Sequence, residues 1–506
     1  MYWSKIATTE DEFDQIAALN YATFVEEIPQ HAKNENHRLV DKFHAENDYV
    51  IVYKDQILVG MLAFRDVRPF SLDQKIGPVE NYLTSEECAF LCEIRLLAIH
   101  KEHRNGRVFA MLSKALFRHF YDKGYSACVI SGTVREEKLY TQMGFRQFAD
   151  AVGSEEARYL PMVMTRADSE VFRARLQEEN RVFYPGPVAV TIHNASTVSH
   201  RSAAFITDYT QMQQQLTDMA HANEVIPLVG TGTLANDAML GQLKEDFVDK
   251  SGLILINGEF GRRLFQQARL WGLAVDRYEV IWSAPFVLEE LRERLQTGDY
   301  AWLAFVHGET STGTLNELAP ILELAREFGV EVCVDCISSF GAVPITLDGV
   351  RYATAVSGKS LGAISGLAFV FCAQPPTKSS VPSYLNLALY ADKGIPFTVP
   401  HLLVNHVNRA LVSYPERYAQ LAGRMEKIAQ SAFAPYLLET NRYSMIATLE
   451  LPNSAQFYET ARLNGFYLHG ESDYLTARSW LQISTIQPSF ERDFEKLEKL
   501  FLVYNG

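Results

Sequence analysis

Val332-Cys333-Val334-Asp335-Cys336-Ile337-Ser338-Ser339-Phe340-Gly341-Ala342 decides the reading of this 506-residue chain, together with Ser357-Gly358-Lys359-Ser360-Leu361-Gly362, whose lysine stands 24 positions after the aspartate. An acid closes an apolar strand, and a lysine follows inside a Ser/Gly-rich turn. A pyridoxal 5'-phosphate (PLP) site needs this pair. The lysine forms a Schiff base with the aldehyde, and the carboxylate keeps the pyridine nitrogen protonated. Taken alone, a plain buried acid and a surface lysine is the commoner reading. The surrounding residues shift the balance.

The length exceeds what one core supports, so two or more domains are expected. A hydrophobic content of 47% and a charged content of 21% describe a globular protein. The net charge of -14 argues against nucleic acid as a partner. No signal-peptide pattern and no apolar run of spanning length are read, so no membrane partner is expected. The six cysteines are sparse and irregular and read as a reducing cytoplasm. Cys333 and Cys336 form a C-x-x-C on an apolar strand, where small core side chains are a better reading than redox or metal chemistry; no metal is expected.

Residues 1–165 alternate helices and strands. Glu10 to Phe24 is helix-like; Tyr49–Tyr53 and Ile57–Phe64 read as a hairpin; Cys92–Ile99 and Ala127–Ser131 are strands; Val108–Tyr121 is an amphipathic helix. With Glu93-Ile94-Arg95-Leu96-Leu97-Ala98-Ile99, His103-Arg104-Asn105-Gly106-Arg107 and Leu139-Tyr140-Thr141-Gln142-Met143-Gly144-Phe145, this order resembles the GNAT acyltransferase fold. The resemblance implies an acyl carrier's pyrophosphate at the helix N-terminus, with Arg104 and Arg107 adding charge. It implies Tyr140 as the acid for the departing thiolate and Glu93 as a base. The donor would be acyl-CoA or an acyl-carrier protein. The loop departs from the family pattern: it has one glycine, Gly106, and bulky Val108 and Phe109. Tyr21-Ala22-Thr23-Phe24-Val25-Glu26-Glu27 is similar to the opening of N-acyl amino acid and acyl-homoserine lactone synthases. A GNAT fold that only binds or regulates, with Tyr140 a core aromatic, is the other reading.

Residues 166–182 are charged and read as a linker helix, and Phe183-Tyr184-Pro185-Gly186-Pro187 starts a new domain spanning 183–506. This part resembles the class V, fold-type I PLP-dependent aminotransferases, most like the 2-aminoethylphosphonate–pyruvate and alanine–glyoxylate transaminases. The motifs that carry the likeness come in order: Tyr184–Pro187, Ser199-His200-Arg201-Ser202, Gly230-Thr231-Gly232-Thr233, Asn257-Gly258-Glu259-Phe260-Gly261-Arg262-Arg263, His307-Gly308-Glu309-Thr310-Ser311-Thr312-Gly313, Asp335, Lys359 and Phe397-Thr398-Val399-Pro400. The likeness implies a mostly parallel large domain, a small C-terminal α/β domain and a homodimer. It places Thr231, Gly232 and Thr233 at the cofactor phosphate, Phe260 on the pyridine ring, Thr310 at the phenolic oxygen and Thr398 at a neighbouring subunit's phosphate.

Two departures limit the reading. Gly358 stands where asparagine usually precedes the lysine, which removes a side chain beside it. Gln482, in Trp480-Leu481-Gln482-Ile483-Ser484, stands where the family has an arginine that clamps the substrate's acid group. Arg478 is the nearest substitute in sequence. The expectation is a bifunctional enzyme: a PLP-dependent aminotransferase acting on an amine with a carbonyl acceptor, plus a domain that N-acylates an amine on the same pathway. The rivals are a PLP-dependent lyase, decarboxylase or C–C bond-forming enzyme, a GNAT module that only binds, and a non-catalytic PLP-binding regulator.

Overall fold

The computed structural model describes residues 1–28, 30–104, 106–153, 158–176, 180–192, 198–412 and 414–505. Asn105 of the predicted phosphate turn and Glu178 and Glu179 of the predicted linker lie outside them. The chain forms two compact units, one of 1–181 with 456–467 and 499–506, the other of 182–455 with 468–498. Among the described residues no helix is long and apolar enough to cross a membrane.

The first unit is built on a mixed sheet. Its strands run in the order Tyr2–Ile6, Asp48–Lys54, Ile57–Arg65, Leu91–Ile99, Ala127–Thr133, Arg158–Thr165 and Arg146–Gln147, with Val152–Gly153 also on Arg158–Thr165. The predicted hairpin is present, antiparallel from Asp48↔Phe64 to Lys54↔Ile57. The predicted first helix ends three residues early, at Tyr21, and continues as a wider turn over Ala22–Glu27. Its start is fixed by a capping box between Thr9 and Glu12, which satisfies two otherwise orphan N–H groups.

Only one pair in this sheet is parallel, Leu91–Ile99 with Ala127–Thr133, and its pairing runs from Leu91↔Ala127 to Ile94↔Ile130. Beyond that point each strand stays paired on its outer side, to Ile99 with Gly60 and to Thr133 with Tyr159. The two strands therefore part, and the sheet opens between them. A bulge helps: Leu96 has φ 55°, and the register against Ile57–Arg65 shifts there. The helix Arg107–Asp122 packs Val108, Leu112, Leu116 and Phe120 onto the sheet. The linker helix is shorter than predicted, Arg166–Arg175, and a Thr165–Asp168 capping box starts it.

The second unit centres on a seven-stranded sheet in the order Glu224–Val229, Leu367–Cys372, Val350–Val356, Glu331–Asp335, Tyr300–Val306, Ser251–Ile256, Ala274–Glu279. Leu367–Cys372 runs antiparallel to both neighbours, and the other pairs are parallel. Strands covered on both faces need continuous apolar runs. Leu253, Leu255, Leu303, Phe305, Val332 and Val334 enter the core on one face, while Ile254, Ile256, Trp302, Ala304 and Cys333 enter the core on the other. Cys333 and Cys336 thus pack into different cores, and burial pushes both thiols up. Further along the chain Ile446–Glu450 and Trp480–Ser484 pair antiparallel as a small sheet.

Candidate active site

The C-terminal ends of parallel strands are where side chains can converge, because each strand releases its chain into a loop there. Asp335 is the last residue of Glu331–Asp335 and is buried. The Asn236 side-chain N–H donates to its Oδ2 at 2.8 Å, and the Ile337 backbone N–H donates to its Oδ1 at 2.9 Å. Asn236 is itself fixed, accepting from the Thr354 hydroxyl at 2.7 Å. Burial pushes the Asp335 carboxyl up, and the two hydrogen bonds and the Lys359 charge pull it back.

Lys359 lies in the turn after Val350–Val356. Side chains and backbone brace that turn: Ser357 Oγ donates to the Ile364 carbonyl, Ser360 Oγ to the Ser338 carbonyl, and Arg417 Nε to the Ser360 carbonyl, at 2.7, 2.7 and 2.8 Å. Burial holds the Lys359 amine below its usual range, with Asp335 and Glu309 opposing. Its Nζ lies 5.3 Å from the centroid of the Phe260 ring. The position of Gly358 is not an empty space: a Cβ there would collide with the Ser365 side chain and lie 2.7 Å from its Cα. The smaller residue is demanded by close packing of the turn.

Phe260 is held by a feature that the motif reading passed over. It is the second residue of the helix Glu259–Leu270, whose first N–H groups need acceptors. Glu309, fully buried, supplies them. Its Oε1 accepts from the N–H groups of Phe260 (3.3 Å) and Ser311 (3.1 Å) and from Ser311 Oγ (2.5 Å), and its Oε2 accepts from the Gly261 N–H (3.0 Å). The carboxylate of the His-Gly-Glu motif thus caps the helix that presents the aromatic ring.

The Gly-Thr-Gly-Thr stretch opens the helix Gly232–Asp246, as the motif predicts. Thr231 is its N-cap, but its side chain makes no cap hydrogen bond, and Thr231 and Thr233 are exposed. A Cβ at Gly232 would lie 2.6 Å from Ile337 Cδ1, so glycine lets this helix start sit directly against the turn that follows Asp335. The positive helix end and two free hydroxyls could hold a phosphate.

Thr310 is buried one residue beyond Glu309. Gln482 is fully buried and bonded on every side: Nε2 donates to the Thr310 carbonyl (2.7 Å), the Ser311 carbonyl (3.3 Å) and Thr448 Oγ1 (2.8 Å), while Oε1 pairs with His469 Nδ1 at 2.8 Å. It braces the Thr310–Ser311 loop and has no donor left for a ligand. Arg478 stacks on Trp282, its guanidinium carbon 3.7 Å from the ring centroid, and donates to the Tyr474 carbonyl at 2.9 Å. Thr398 is exposed on the loop before the helix His401–Val412, beside Phe397, which stacks on Tyr384. His469 and Tyr474, which hold Gln482 and Arg478 in these positions, carry no spacing signal in the sequence.

Behind the strand ends, His307 pairs through Nδ1 with Ser339 Oγ at 2.9 Å, and burial holds the ring down to about 4 from 6.5. The folded state therefore favours the neutral ring. Its contribution is complete above pH 6.5 and is lost as pH falls toward about 4. Urea titrations at pH 7 and pH 5 are expected to differ by about 2 kcal/mol on this account, and His307→Gln is expected to remove that part of the difference.

In the first unit the predicted residues divide. Glu93 is buried, and its carboxylate accepts from Ser71 N–H (2.8 Å), Ser71 Oγ (2.5 Å) and Leu72 N–H (2.9 Å), with Arg95 Nε at 3.4 Å. Those partners anchor the Ser71–Leu72 turn to the sheet. Tyr140 packs over Gly132, where a Cβ would lie 2.9 Å from its ring, on the strand that borders the opening in the sheet. Burial pushes its hydroxyl up, so it stays protonated. Arg104 forms a two-pronged ion pair with Glu27 at 2.5 and 2.6 Å. Arg107 is the first residue of its helix and is exposed, behind Gly106, whose φ of 80° is the left-handed conformation glycine permits. Val108, by contrast, is buried toward Gly60.

The donor set of the second unit fits PLP on its chemistry: a fixed carboxylate, a half-buried amine, an aromatic ring beside that amine, and an open helix N-terminus with hydroxyls. Fold and site define a fold-type I, PLP-dependent transferase, joined to a GNAT-like acyltransferase unit. Residues 178–384 match the family model Aminotransferase class-V, and residues 15–168 match N-acyl amino acid synthase FeeM. A 2-aminoethylphosphonate–pyruvate transaminase of Pseudomonas aeruginosa is 31% identical, over 48% of this chain and 72% of its own length. Another, of Pseudomonas fluorescens, is 27% identical over 56% and 86%. The crystal structure of an alanine–glyoxylate aminotransferase from Nostoc superposes with a TM-score of 0.57 at 26% identity, covering 65% of this chain and 98% of that one. The chain belongs to the class V aminotransferase family. It is an enzyme that joins an aminotransferase of this family to an acyltransferase domain of the FeeM type.

Proposed function

We propose that the second unit transfers an amino group from a small primary amine to a carbonyl acceptor, and that the first N-acylates an amine on the same route. The observation that carries this is the convergence of Asp335, Lys359 and Phe260 at the strand ends, beside the open helix start at Thr231–Thr233. When bound, PLP supplies an aldehyde and an electron-withdrawing ring. Lys359 Nζ would hold the cofactor's aldehyde and is the base placed to take and return the substrate's α-proton. The low basicity that burial gives this amine suits both tasks. Asp335 would be the partner of the cofactor's ring N–H, and Asn236 and Ile337 hold its carboxyl in place. Thr231, Gly232 and Thr233 would hold the phosphate at the start of their helix, and Phe260 would supply an apolar face that excludes water. Thr310 supports the phenolic oxygen, and Thr398 of a second copy completes the phosphate site in a homodimer.

In the first unit, Tyr140 donates the proton to the departing thiolate at the opening in the sheet. Gly106 and Arg107 receive the phosphates of acyl-CoA or of an acyl-carrier protein's arm. Arg104 shapes that entrance through Glu27. Glu93 holds the Ser71–Leu72 turn, and its saturated carboxylate is a positioning group for the sheet. By sequence we assign 1–165 to the acyltransferase module, 166–182 to the linker and 183–506 to the aminotransferase module, in a cytoplasmic enzyme, although 166–181, 456–467 and 499–506 group with the first compact unit in the fold. Joining the two raises the effective concentration of a shared amine.

The test is a screen of amines against the PLP-loaded protein, with no carbonyl acceptor, watching the cofactor spectrum. A transaminated amine converts the cofactor to pyridoxamine phosphate. Adding acyl-CoA or acyl-carrier protein is then expected to give an N-acylated amine, identified by mass.

A further inference from the structure

We propose that Arg263 is the anchor for an anionic group on the amine substrate, a role that the fully bonded Gln482 does not fill; this rests on the transaminase reading above. Three other side chains compete for that role. Gln482 is fully buried with its amide bonded to Thr310, Ser311, Thr448 and His469. Arg478 is a cation, but it is laid flat on Trp282 at 3.7 Å, tied to the Tyr474 carbonyl, and its second aromatic neighbour is Trp480. Its closest charges are those of Arg262 and Glu259. Arg262 is itself ion-paired with Glu279 at 2.5 Å.

Arg263 differs from all three. It lies one helical turn after Phe260, on the same side of the helix Glu259–Leu270. Its guanidinium carbon is 5.3 Å from the centroid of the Phe260 ring, and Lys359 Nζ is 5.3 Å from the same centroid. One ring therefore carries both the reactive amine and this cation. Arg263 is exposed, and among the described residues no carboxylate lies within ion-pair distance of it. Burial is the main cause that lowers the Lys359 amine from its usual range, against the opposing Asp335 and Glu309 charges, and the Arg263 charge acts in the same direction as burial. An unpaired guanidinium beside the amine-transfer centre offers a two-pronged site for carboxylate or phosphonate. The substrate class is thus a primary amine with an acid group a few bonds away.

The test compares 2-aminoethylphosphonate, β-alanine and propylamine in the PLP-loaded full-length protein and in Arg263→Gln. The expected result is a fall of about 30-fold or more in kcat/KM for the acidic amines, with propylamine changed by less than about threefold. The larger of the two acidic losses says whether carboxylate or phosphonate is the group bound. Calorimetry with propionate and propylphosphonate reads binding without turnover, and the variant is expected to weaken it by a similar factor. Equal acidic-to-neutral ratios in wild type and Arg263→Gln overturn the proposal. So does a ratio that collapses in Arg478→Gln while Arg263→Gln keeps it, or a wild-type protein that binds neither anion. If no amine is turned over but the anions bind and Arg263→Gln loses them, the transaminase reading fails and the anchor stands.

Discussion

Replacing Lys359 with alanine is expected to abolish amine transfer, by about four orders of magnitude or more, while the second unit stays folded. The side chain is the only amine beside the Phe260 ring among the described residues, and it does two jobs. In the proposed transaminase it would hold the cofactor covalently and move the α-proton. Nothing else in the turn can do either: Ser357 and Ser360 donate their hydroxyls to the Ile364 and Ser338 carbonyls. Those same bonds keep the turn in place when the lysine is gone, so circular dichroism of the variant should match the wild type. The visible absorbance of the bound cofactor should shift to that of free PLP. A variant that keeps both the spectrum and turnover would mean that another amine carries the cofactor.

The second large effect is expected at Glu309. Its carboxylate takes three backbone N–H groups and one hydroxyl in a fully buried place. Glu309→Ala leaves those donors without an acceptor and exposes nothing to water. The cost should be about 3–5 kcal/mol of unfolding free energy, as for a buried charge whose partners are stranded. Glu309→Gln keeps the volume but brings an N–H of its own against the donors, so an intermediate loss is expected. Because Phe260 is the second residue of the capped helix, loosening its start also loosens the ring beside Lys359. Cofactor retention on dialysis should therefore fall in Glu309→Gln even where the variant remains folded. Unchanged stability in Glu309→Ala would contradict the capping role.

Much of the site was legible because its chemistry demands fixed residue types at strand ends. An acid closing an apolar strand, a lysine in a polar turn and a Gly/Thr helix start leave little freedom, so residue type and order point to Asp335, Lys359 and Thr231–Thr233, while the role of Phe260 comes from the family likeness. The parts that were not legible depend on partners remote in sequence. Gln482 stands at the position of a substrate clamp, yet its donors go to Thr310 and Ser311, 172 and 171 residues earlier in the chain. Arg104 was read as a phosphate ligand, yet Glu27 pairs with it. Glu93 has the residue type of a base, but the Ser71–Leu72 turn that saturates it has no motif of its own. Gly358 was read as a missing side chain, and the structure shows a position packed against Ser365. The opening in the first sheet follows from where parallel pairing stops, which no single strand's pattern reveals.

The half-reaction tests the central claim most directly. PLP-loaded protein is mixed with an acidic primary amine in the absence of any carbonyl acceptor, and cofactor and products are quantified together. Transamination predicts one equivalent of pyridoxamine phosphate and one of the matching carbonyl compound per active site, with no further turnover until an acceptor is added. Continuous release of carbon dioxide, of an eliminated group or of a C–C coupled product, with the cofactor left as PLP, would contradict it.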